Sequence, residues 1–596
     1  MTAPVAPNDV QAAFCAVLVD EWARGGVRRA VVAPGSRSTP LLVALAEAAD
    51  RREIVLDVVL DERGAGFFAL GHALATGSPA LVVTTSGTAA VELHPAVVEA
   101  HHSGVPLVAV TADRPEELHG CGAPQTVEQV GLFGPATRWA ASVPVADLAT
   151  AHWWRPLASR ALAEAMGGAH RPGPVHLNLA FREPLLGSAA KVAGTGPGPA
   201  AALAGRQGRA PWHQVLVPEE LPVPEEAVRL LAGAGERGLV VVGGGGPGPG
   251  ALQRLTDATG WPVLASPLSN VRSPGSVAFA DALLRCSPVR DWHPDVVLRM
   301  GAPWASRVVN EWLAGLSCPQ VLVDPVGAWA APDRLPGHVV VAGPDALCLA
   351  VAAAVTGGRR GEWARRWSSA EAAAEAAVDA AMGPGDELTE PGVAREVMRS
   401  LVDGATLVLS SSMPVRDFEW WTRPRHGARV VSNRGANGID GVLSTALGVA
   451  AGSAQEHGGS PAPVVAVLGD LAFVYDAGAL LWAQGRALSL DVIVVDNDGG
   501  GIFNFLPQAA SQHGERCERL WGTPHGLDLT ALATAFGAQA RRLRDLGQLS
   551  SAVASPPAPG VRVWVVPTQR AANVKAHRRL LGAVEAAVAG LSPSGG

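Results

Sequence analysis

The stretch that decides the fold reads VLGDLAFVYDAGALLWAQGRALSLDVIVVDNDGGGIF and covers residues 467–503. One apolar run ends in Gly469 and Asp470, a helix-like segment follows, and a second apolar run ends in Asp496 and Asn497. Two apolar strands joined by a helix are typical of a parallel sheet with helices on both faces. In such a sheet, ligands bind beyond the carboxyl ends of the strands, where these polar side chains lie. The stretch therefore predicts an α/β fold with a ligand site at this edge.

The same alternation of short apolar runs and helical segments recurs along the whole chain of 596 residues. A chain of this length is too long for one hydrophobic core. The pattern falls into three blocks, which predict three doubly wound parallel-sheet α/β domains. A Gly/Pro/Ala-rich stretch without periodicity predicts a linker, and a charged helical stretch predicts a connector. The predicted boundaries are 1–190 for the first domain, 191–211 for the linker, 212–356 for the central domain, 357–390 for the connector and 391–596 for the last domain. The strand candidates of the first domain are 29–33, 54–60, 80–84, 107–111 and 175–179.

The composition of the chain argues against several classes of protein. It is 48% hydrophobic and 17% charged, which is typical of a globular protein, and its net charge of -7 argues against a nucleic-acid surface. The sequence contains no apolar run of about 18 residues, so it predicts no membrane span. The start MTAPVAPNDVQ has no export-signal pattern. The six cysteines are scattered without a CxxC pair, so we expect reduced thiols and a cytoplasmic location.

Asp470 and Asn497 are candidate ligands of a divalent cation. They follow two successive strands of one strand–helix–strand unit, which brings them to the same edge of the sheet. Their side-chain oxygens suit Mg²⁺, which typically bridges a few protein ligands to substrate phosphates. The glycine run lets the backbone approach closely, so the carbonyl of Gly499 is a third candidate ligand and free amides suit phosphate. For Asp470 or Asn497 alone, a helix cap or a turn is the alternative explanation.

The combination of Gly-Asp and a later Asn at this spacing resembles the motif that binds thiamine diphosphate, although Leu471 replaces the usual second glycine. Thiamine chemistry needs a carboxyl group beside the aminopyrimidine ring of the cofactor. Such a glutamate should follow a strand of the first domain, in an apolar pocket that raises its pKa. Glu62 follows the apolar run that ends at Leu60 and precedes an apolar helix. The alternative is that Asp61 and Glu62 only place acids at a helix N-terminus.

Several stretches resemble those of one family, the 2-succinyl-5-enolpyruvyl-6-hydroxy-3-cyclohexene-1-carboxylate (SEPHCHC) synthases of menaquinone biosynthesis, which are thiamine-diphosphate enzymes. These stretches are APGSRSTPL (33–41), DERGAGFFALG (61–71), TTSGTAAVELHPAVVEA (84–100), TADRPEEL (111–118), GPVHLNLAFREPL (173–185), SNRGANGIDGVLSTALG (432–448), GDLAFVYD (469–476), DNDGGGIFNFLPQ (496–508) and ERLWGTPHGLDL (518–529). APGSRSTP and SNRGANGIDG separate this family from acetolactate synthases and keto-acid decarboxylases, and the family tolerates Leu after Gly-Asp. The resemblance covers both terminal domains and implies a pyrimidine-binding domain at 1–190 and a diphosphate-binding domain at 391–596.

The resemblance implies that 2-oxoglutarate is decarboxylated with thiamine diphosphate and Mg²⁺, or Mn²⁺ in its place. The succinyl-semialdehyde carbanion then adds to isochorismate, giving SEPHCHC and CO2. Glu62 would activate the pyrimidine ring, Asp470, Asn497 and the Gly499 carbonyl would bind the cation, and Ile439 would be the apolar wedge that bends the cofactor. Other residues implied at the cofactor or the reaction cavity are Arg37, Ser86, Gly87, Thr88, Gln125, Ser412, Ile502 and Phe503. The cofactor would lie between the first domain of one subunit and the last domain of another, which implies a homo-oligomer.

Two substrates with two carboxylates each demand local positive charge in an acidic protein, and guanidinium groups match carboxylates. The family-like stretches supply candidate substrate-binding residues near strand ends, where site residues usually lie. They are Ser36, Arg37, Arg114, Gln125, Ser412, Arg416 and Arg434. In the central domain the best candidate is Arg307, although some relatives have a basic residue where this chain has Ser306. For any one arginine, a surface ion pair is the alternative.

Two other functions are open on the sequence. Another thiamine-diphosphate-dependent 2-keto acid decarboxylase or acetolactate-type synthase would share Glu62, Asp470 and Asn497, but APGSRSTP and the arginines argue against it. A catalytically silent protein that binds thiamine or another metabolite would have no need for the carboxyl group of Glu62.

Overall fold

Three parallel β-sheets follow one another along the chain, which confirms the prediction of three α/β domains. The computed structural model describes residues 5–168, 170–192, 197–218, 221–355, 361–382, 388–425, 427–486, 488–509 and 514–591. Parts of the predicted linker and of the predicted connector therefore lie outside the described residues.

The first sheet has six parallel strands in the order β2-β1-β3-β4-β6-β5. Alternate residues of its central strands face two different apolar cores, since Val31 and Val82 belong to one and Val32 and Val83 to the other. The strands are β1 (Arg29–Val32), β2 (Val55–Val58), β3 (Ala80–Thr84), β4 (Leu107–Asp113), β5 (Trp139–Val143) and β6 (Pro174–Ala180). The helices are α1 (Pro7–Arg24), α2 (Thr39–Asp50), α3 (Glu62–Thr76), α4 (Thr88–Val91), α5 (His94–Ser103) and α6 (Trp154–Met166).

Two elements of this region differ from the sequence-based expectations. The five predicted strands are present within a few residues of their expected bounds, but β5 was not predicted. Side chains of β5 alternate between partly exposed and exposed, so this edge strand lacks the continuous apolar run of the central strands. The predicted linker contains a short helix, α7 (Pro197–Ala204), in an alanine-rich segment, and alanine has the highest helix propensity.

The second sheet has five parallel strands in the order β11-β10-β9-β7-β8. A long helix, α14 (Glu362–Met382), follows it and forms much of the predicted connector. The strands are β7 (Gly238–Val242), β8 (Val263–Ala265), β9 (Val296–Met300), β10 (Gln320–Val323) and β11 (His338–Val340). The helices are α8 (Glu225–Ala232), α9 (Pro249–Thr259), α10 (Ala280–Arg285), α11 (Ser287–Arg290), α12 (Arg307–Ala314) and α13 (Pro344–Ala354).

The third sheet has six parallel strands in the order β13-β12-β14-β15-β17-β16. The strands are β12 (Thr406–Leu409), β13 (Arg429–Ser432), β14 (Val464–Gly469), β15 (Ser489–Asp496), β16 (Gln539–Arg542) and β17 (Gly560–Pro567). The helices are α15 (Glu390–Ser400), α16 (Met413–Trp421), α17 (Val442–Glu456), α18 (Asp470–Asp476), α19 (Ala479–Ala483), α20 (Gly514–Cys517), α21 (Leu529–Ala535), α22 (Leu546–Val553) and α23 (Arg570–Ala589). The chain leaves β12 for β13 on one side and returns to β14 on the other, so the strand order reverses between β12 and β14.

Helices α3 and α17 join the first and last domains in one apolar core. Their backbones touch, because a Cβ at Gly71 would lie 2.0 Å from the carbonyl oxygen of Thr445. A Cβ at Gly448 would likewise lie 2.0 Å from the carbonyl oxygen of Phe68. Backbone atoms on a packed helix cannot move aside as a flexible side chain can, so both positions require glycine. This contact fixes the start of α3, where Glu62 lies, relative to the last domain.

All six cysteines are free thiols and four of them are buried, which confirms the prediction of reduced cysteines. In the described part of the chain, no helix combines the length and the apolar character that crossing a membrane requires.

Candidate active site

A cavity of about 160 Å³ lies at the carboxyl ends of β12, β14 and β15, where the strand order reverses. Ligands of open parallel sheets bind at this place. Two buried acids that no sequence motif indicated, Glu390 and Asp417, contribute to its lining. Seven predicted residues also line it: Ser412, Ile439, Asp470, Asn497, Gly499, Ile502 and Phe503.

Asp470 is buried and connects the ends of β14 and β15. Its Oδ1 accepts a hydrogen bond from the amide of Leu471 (2.6 Å), and its Oδ2 accepts from the amides of Asn497 (3.0 Å) and Gly499 (2.8 Å). Burial raises the pKa of Asp470, and these backbone hydrogen bonds act in the opposite direction. Asp470 is also the first residue of α18, so the residue that begins a helix is the one that faces the cavity.

His525, in the loop before α21, faces Asp470. Its Nε2 lies 3.5 Å from Oδ2 of Asp470 and 4.0 Å from Oδ1 of Asp496, and among the described residues these three could share a metal ion. However, Nδ1 of His525 accepts a hydrogen bond from the amide of Leu527 (3.0 Å), so the neutral ring carries its proton on Nε2. A protonated nitrogen does not bind a cation, so this tautomer is not a metal ligand. Nε2 faces the two carboxylates without a hydrogen bond to any described residue, an arrangement that the family-like stretch around His525 did not reveal.

Asn497 presents an unpaired oxygen to the cavity. Its Nδ2 donates to Oε1 of Glu390 (2.7 Å), while its Oδ1 is buried and has no hydrogen-bond partner among the residues that the structure describes. At Gly499 the backbone has a φ of +133°, and a Cβ would lie 2.0 Å from the carbonyl oxygen of Gly522. A buried carboxylate and an unpaired amide oxygen are donors that a hard divalent cation prefers. The residues present therefore fit a divalent cation.

Arg416 and Arg434 are neighbouring, half-buried cations. Nη1 of Arg416 donates to the carbonyl of Ser412 (2.6 Å), which lines the cavity and has a φ of 72°. Burial lowers the pKa of both guanidinium groups, and the charge of Arg416 lowers that of Arg434 further. Among the described residues neither group forms an ion pair, and more distant carboxyl groups, chiefly that of Glu419, offset only part of the effect of burial on the two pKa values. Because buried charge is costly without a close counter-charge, the pair suits a ligand with carboxylate groups.

A second group of predicted residues lies at the carboxyl ends of β1, β3 and β4, which are neighbours in the first sheet. Ser86 Oγ donates to the carbonyl of Gln125 (3.0 Å), and Gln125 Nε2 donates to the carbonyl of Ser86 (2.9 Å). Between them Gly87 has a φ of +86°, and a Cβ there would lie 2.8 Å from the side chain of Gln125. Thr88 follows, exposed, at the start of α4. This reciprocal bond fixes the loop that carries Gln125.

Arg37 and Arg114 add positive charge to this second group. Arg37 is buried and pairs with Glu183 (3.3 Å). Burial lowers the pKa of Arg37, and the nearby charge of Arg114 lowers it further. Arg114 donates to the carbonyl of Pro124 (3.1 Å), which lies next to Gln125. Ser36, in the loop before α2, is exposed to solvent. This edge of the first sheet therefore presents polar side chains to solvent.

Glu62 is the first residue of α3, at the same edge of the first sheet. Asp61 caps α3 by accepting a hydrogen bond from the amide of Gly64 (3.0 Å), so the capping role belongs to Asp61. Burial raises the pKa of the half-buried Glu62, and the charges of Asp61 and Glu92 raise it further. Among the described residues, the cavity at the third sheet has no lining residue from the first domain. Within the described chain, Glu62 therefore does not line the cavity that Asp470 and Asn497 line.

Arg307 is the first residue of α12 and does not line the cavity. Its side chain is 85% exposed and pairs with Glu311 one turn later (2.5 Å), which is the surface ion pair considered as the alternative. Ser306 caps α12, because its Oγ accepts from the amide of Val309 (3.0 Å) and donates to the buried Asp281. A role of Arg307 in substrate binding stays a prediction.

An oxygen-lined cavity at the switch point of one parallel sheet and a half-buried glutamate at a strand end of another are the parts expected of a thiamine-diphosphate enzyme. Family profiles identify the same class. The profile "Thiamine pyrophosphate enzyme, N-terminal TPP binding domain" matches residues 13–132, and "Thiamine pyrophosphate enzyme, C-terminal TPP binding domain" matches residues 411–556. The chain therefore has the two cofactor-binding domains of this class of enzymes.

Curated relatives narrow the class to one family. A protein of Myxococcus xanthus named 2-succinyl-5-enolpyruvyl-6-hydroxy-3-cyclohexene-1-carboxylate synthase is 40% identical, over 96% of this chain and 97% of that protein. Proteins of the same name from Thermobifida fusca (42% identical, 97% of this chain and 99% of the relative) and Haloarcula marismortui (41%, 92% and 93%) also match. This chain belongs to the SEPHCHC synthase family.

Proposed function

We propose that this protein decarboxylates 2-oxoglutarate with thiamine diphosphate and adds the succinyl-semialdehyde unit to isochorismate, giving SEPHCHC and CO2 in menaquinone biosynthesis. The observation that carries this proposal is the pair Arg416 and Arg434, half-buried beside the cofactor cavity and without an ion pair to a carboxylate among the described residues. Both substrates are dicarboxylates, and guanidinium groups bind carboxylates through charge-assisted hydrogen bonds. A decarboxylase of a 2-keto acid with one carboxylate would not need two such cations.

The cavity at the third sheet would hold the diphosphate end of the cofactor. Asp470, Asn497 and the carbonyl of Gly499 would bind Mg²⁺, or Mn²⁺ in its place, which neutralises part of the diphosphate charge. Ile439 would support the bent cofactor, while Phe503 and its neighbour Ile502 would exclude water from the reacting end. When bound, thiamine diphosphate supplies the electron sink that decarboxylation of a 2-keto acid requires.

Glu62 would hold the proton that the pyrimidine ring needs. Because burial raises its pKa, Glu62 keeps a proton at a higher pH than an exposed glutamate does. The loops that follow β1, β3 and β4 would complete this side of the site, with Ser86, Gly87 and Thr88 against the pyrimidine. Ser36, Arg37, Arg114 and Gln125 would then orient the substrates, with Arg37 and Gln125 closest to the chemistry.

A second copy of the chain would bring Glu62 to the cavity of the third domain. Val58 and Leu60, just before Glu62, are 53% and 64% exposed, and Leu520 and Leu527, in the segment around His525, are 56% and 48% exposed. Exposed apolar side chains at a polar site are typical of an interaction surface. We therefore propose a homodimer or a larger homo-oligomer, acting in the cytoplasm.

The test is an assay with purified protein, Mg²⁺, thiamine diphosphate, 2-oxoglutarate and isochorismate. We expect SEPHCHC and CO2 to form in equal amounts. CO2 release without consumption of isochorismate would favour a decarboxylase, and cofactor binding without turnover would favour a silent protein. Sedimentation of the active sample tests the shared site, because full activity in a monomer would contradict it.

A further inference from the structure

The amide group of Asn497 has two ends of similar shape, but only the oxygen can bind a cation. Rotation of this amide by half a turn would place two N–H groups where the cation is expected. The orientation therefore has to be fixed by a neighbouring group. We propose that Glu390 is a positioning residue that fixes the amide of Asn497, so that Oδ1 faces the cation. This inference rests on the cation site of the proposed function.

The start of α15 holds Glu390 rigidly at the wall of the cavity. Thr389 caps the helix by accepting a hydrogen bond from the amide of Gly392 (3.2 Å), and Pro391 occupies the first turn. A capped first turn with a proline has little freedom to rearrange. Only 3% of Glu390 is exposed, so its carboxyl group lies out of solvent and next to Asn497.

The contacts of Glu390 distinguish the two ends of the amide. Its Oε1 accepts a hydrogen bond from Asn497 Nδ2 (2.7 Å) and a second one from Thr568 Oγ1 (3.3 Å), so this oxygen is the acceptor in both contacts. Because Oε1 accepts in both contacts, a proton held by this buried carboxyl group belongs on Oε2. A rotated amide would bring Oδ1 of Asn497 to the same short distance from Oε1, and two acceptors would then face each other. Gly501 leaves room for this end of the amide, because a Cβ there would lie 2.8 Å from Nδ2, but the space alone would admit either end. The hydrogen bond to Glu390 is therefore the contact that selects the nitrogen on this side and leaves the oxygen to the cavity.

The first test measures binding of Mn²⁺ to the full-length protein in saturating thiamine diphosphate, with free Mn²⁺ read by electron paramagnetic resonance. Glu390→Met keeps the volume of the side chain and removes the acceptor, whereas Glu390→Ala also leaves a cavity. Partners that orient a metal ligand typically change metal affinity about 10- to 100-fold. We expect a loss of this size in both variants, and unchanged affinity in either would overturn the proposal. Glu396→Ala, on the same helix, is the control expected to bind Mn²⁺ as the unmodified protein does.

The second test repeats Glu390→Met in the background of Asn497→Asp. A carboxylate has two equivalent oxygens and needs no orienting partner, and Glu390 would then face a second carboxyl group. We expect Glu390→Met to leave Mn²⁺ affinity unchanged or to increase it in this background. An equal loss in both backgrounds would show a merely structural role and would overturn the proposal. If the unmodified protein binds no Mn²⁺ with the cofactor, the proposed cation site fails, and this inference fails with it.

Discussion

Replacement of Arg434 by methionine separates a substrate-binding role from a structural one. In the described structure Arg434 forms no ion pair. Burial and then the charge of Arg416 lower its pKa, and the charges of Glu419 and Glu99 offset only part of this effect. Removing Arg434 therefore removes an unfavourable charge from the fold, whereas it removes a favourable one from a complex with a carboxylate substrate. We expect Arg434→Met to weaken catalysis and to leave thermal stability unchanged or higher.

The size of the catalytic loss follows from the number of bonds at stake. A hydrogen bond to a charged group contributes about 1.5–3 kcal/mol, which corresponds to roughly a 10- to 150-fold change at 1.4 kcal/mol per factor of ten. We expect kcat/KM to fall by this factor for the substrate whose carboxylate meets Arg434, and less for the other. Steady-state kinetics with each substrate varied in turn, together with differential scanning calorimetry, measures both quantities.

Two results would refute this reasoning. An unchanged kcat/KM for both substrates would show that no carboxylate binds Arg434 in the transition state. A clear fall in the melting temperature would show that Arg434 stabilises the fold. Arg51→Met is the control, because Arg51 is an exposed arginine paired with Glu53 in the first domain, and we expect neither quantity to change.

Three further predictions concern acids and packing. Glu62→Gln should retain thiamine diphosphate, measured by isothermal titration, but lose most turnover, and full activity would contradict the role of Glu62. Burial raises the pKa of Glu371 to about 7, so its contribution to stability is present below its ordinary pKa of 4.5 and is lost as the pH rises through about 7. Calorimetry should therefore show that Glu371→Gln gains stability relative to the unmodified protein between pH 5 and pH 8, and an unchanged difference would contradict this. Gly71→Ala should lower the melting temperature by several degrees, because its Cβ would lie 2.0 Å from the carbonyl oxygen of Thr445; an unchanged value would mean that the helices can separate.

The fold was predictable because most strands are buried on both faces. A strand such as β3, with five buried residues, appears in the sequence as a short apolar run and can be recognised from its residue types alone. By contrast, β5 lies at the edge of its sheet and is only partly buried, so its sequence does not differ from that of a loop. The strands were therefore predictable mainly because they are buried on both faces, and less because of the intrinsic strand preference of their residues.

Within the site, contacts between residues close in the sequence were predictable, whereas contacts between residues far apart in it were not. Asp470 and Asn497 end successive strands and belong to one motif, so the sequence places them together. Glu390 reaches Asn497 across 107 residues, from a helix whose own sequence suggests only a cap. Such a contact depends on how α15 packs against the sheet, which no local pattern encodes. Arg416 and Arg434 lie between these extremes, since the resemblance to the family implied a role for both but not that they are neighbours.

The contact between α3 and α17 fixes the position of Glu62 relative to Arg434 and Ile439. Helix α3 begins with Glu62, and the loop before α17 carries Arg434 and Ile439. Glycines bring these helices together with backbone against backbone, so no side chain between them can adjust to a shift. A displacement of either helix therefore moves a predicted proton-holding residue relative to predicted substrate- and cofactor-binding residues. Glu62 does not line the cavity at the third sheet in the described chain, so in the proposed homo-oligomer this rigid helix pair would link the ends of two sites.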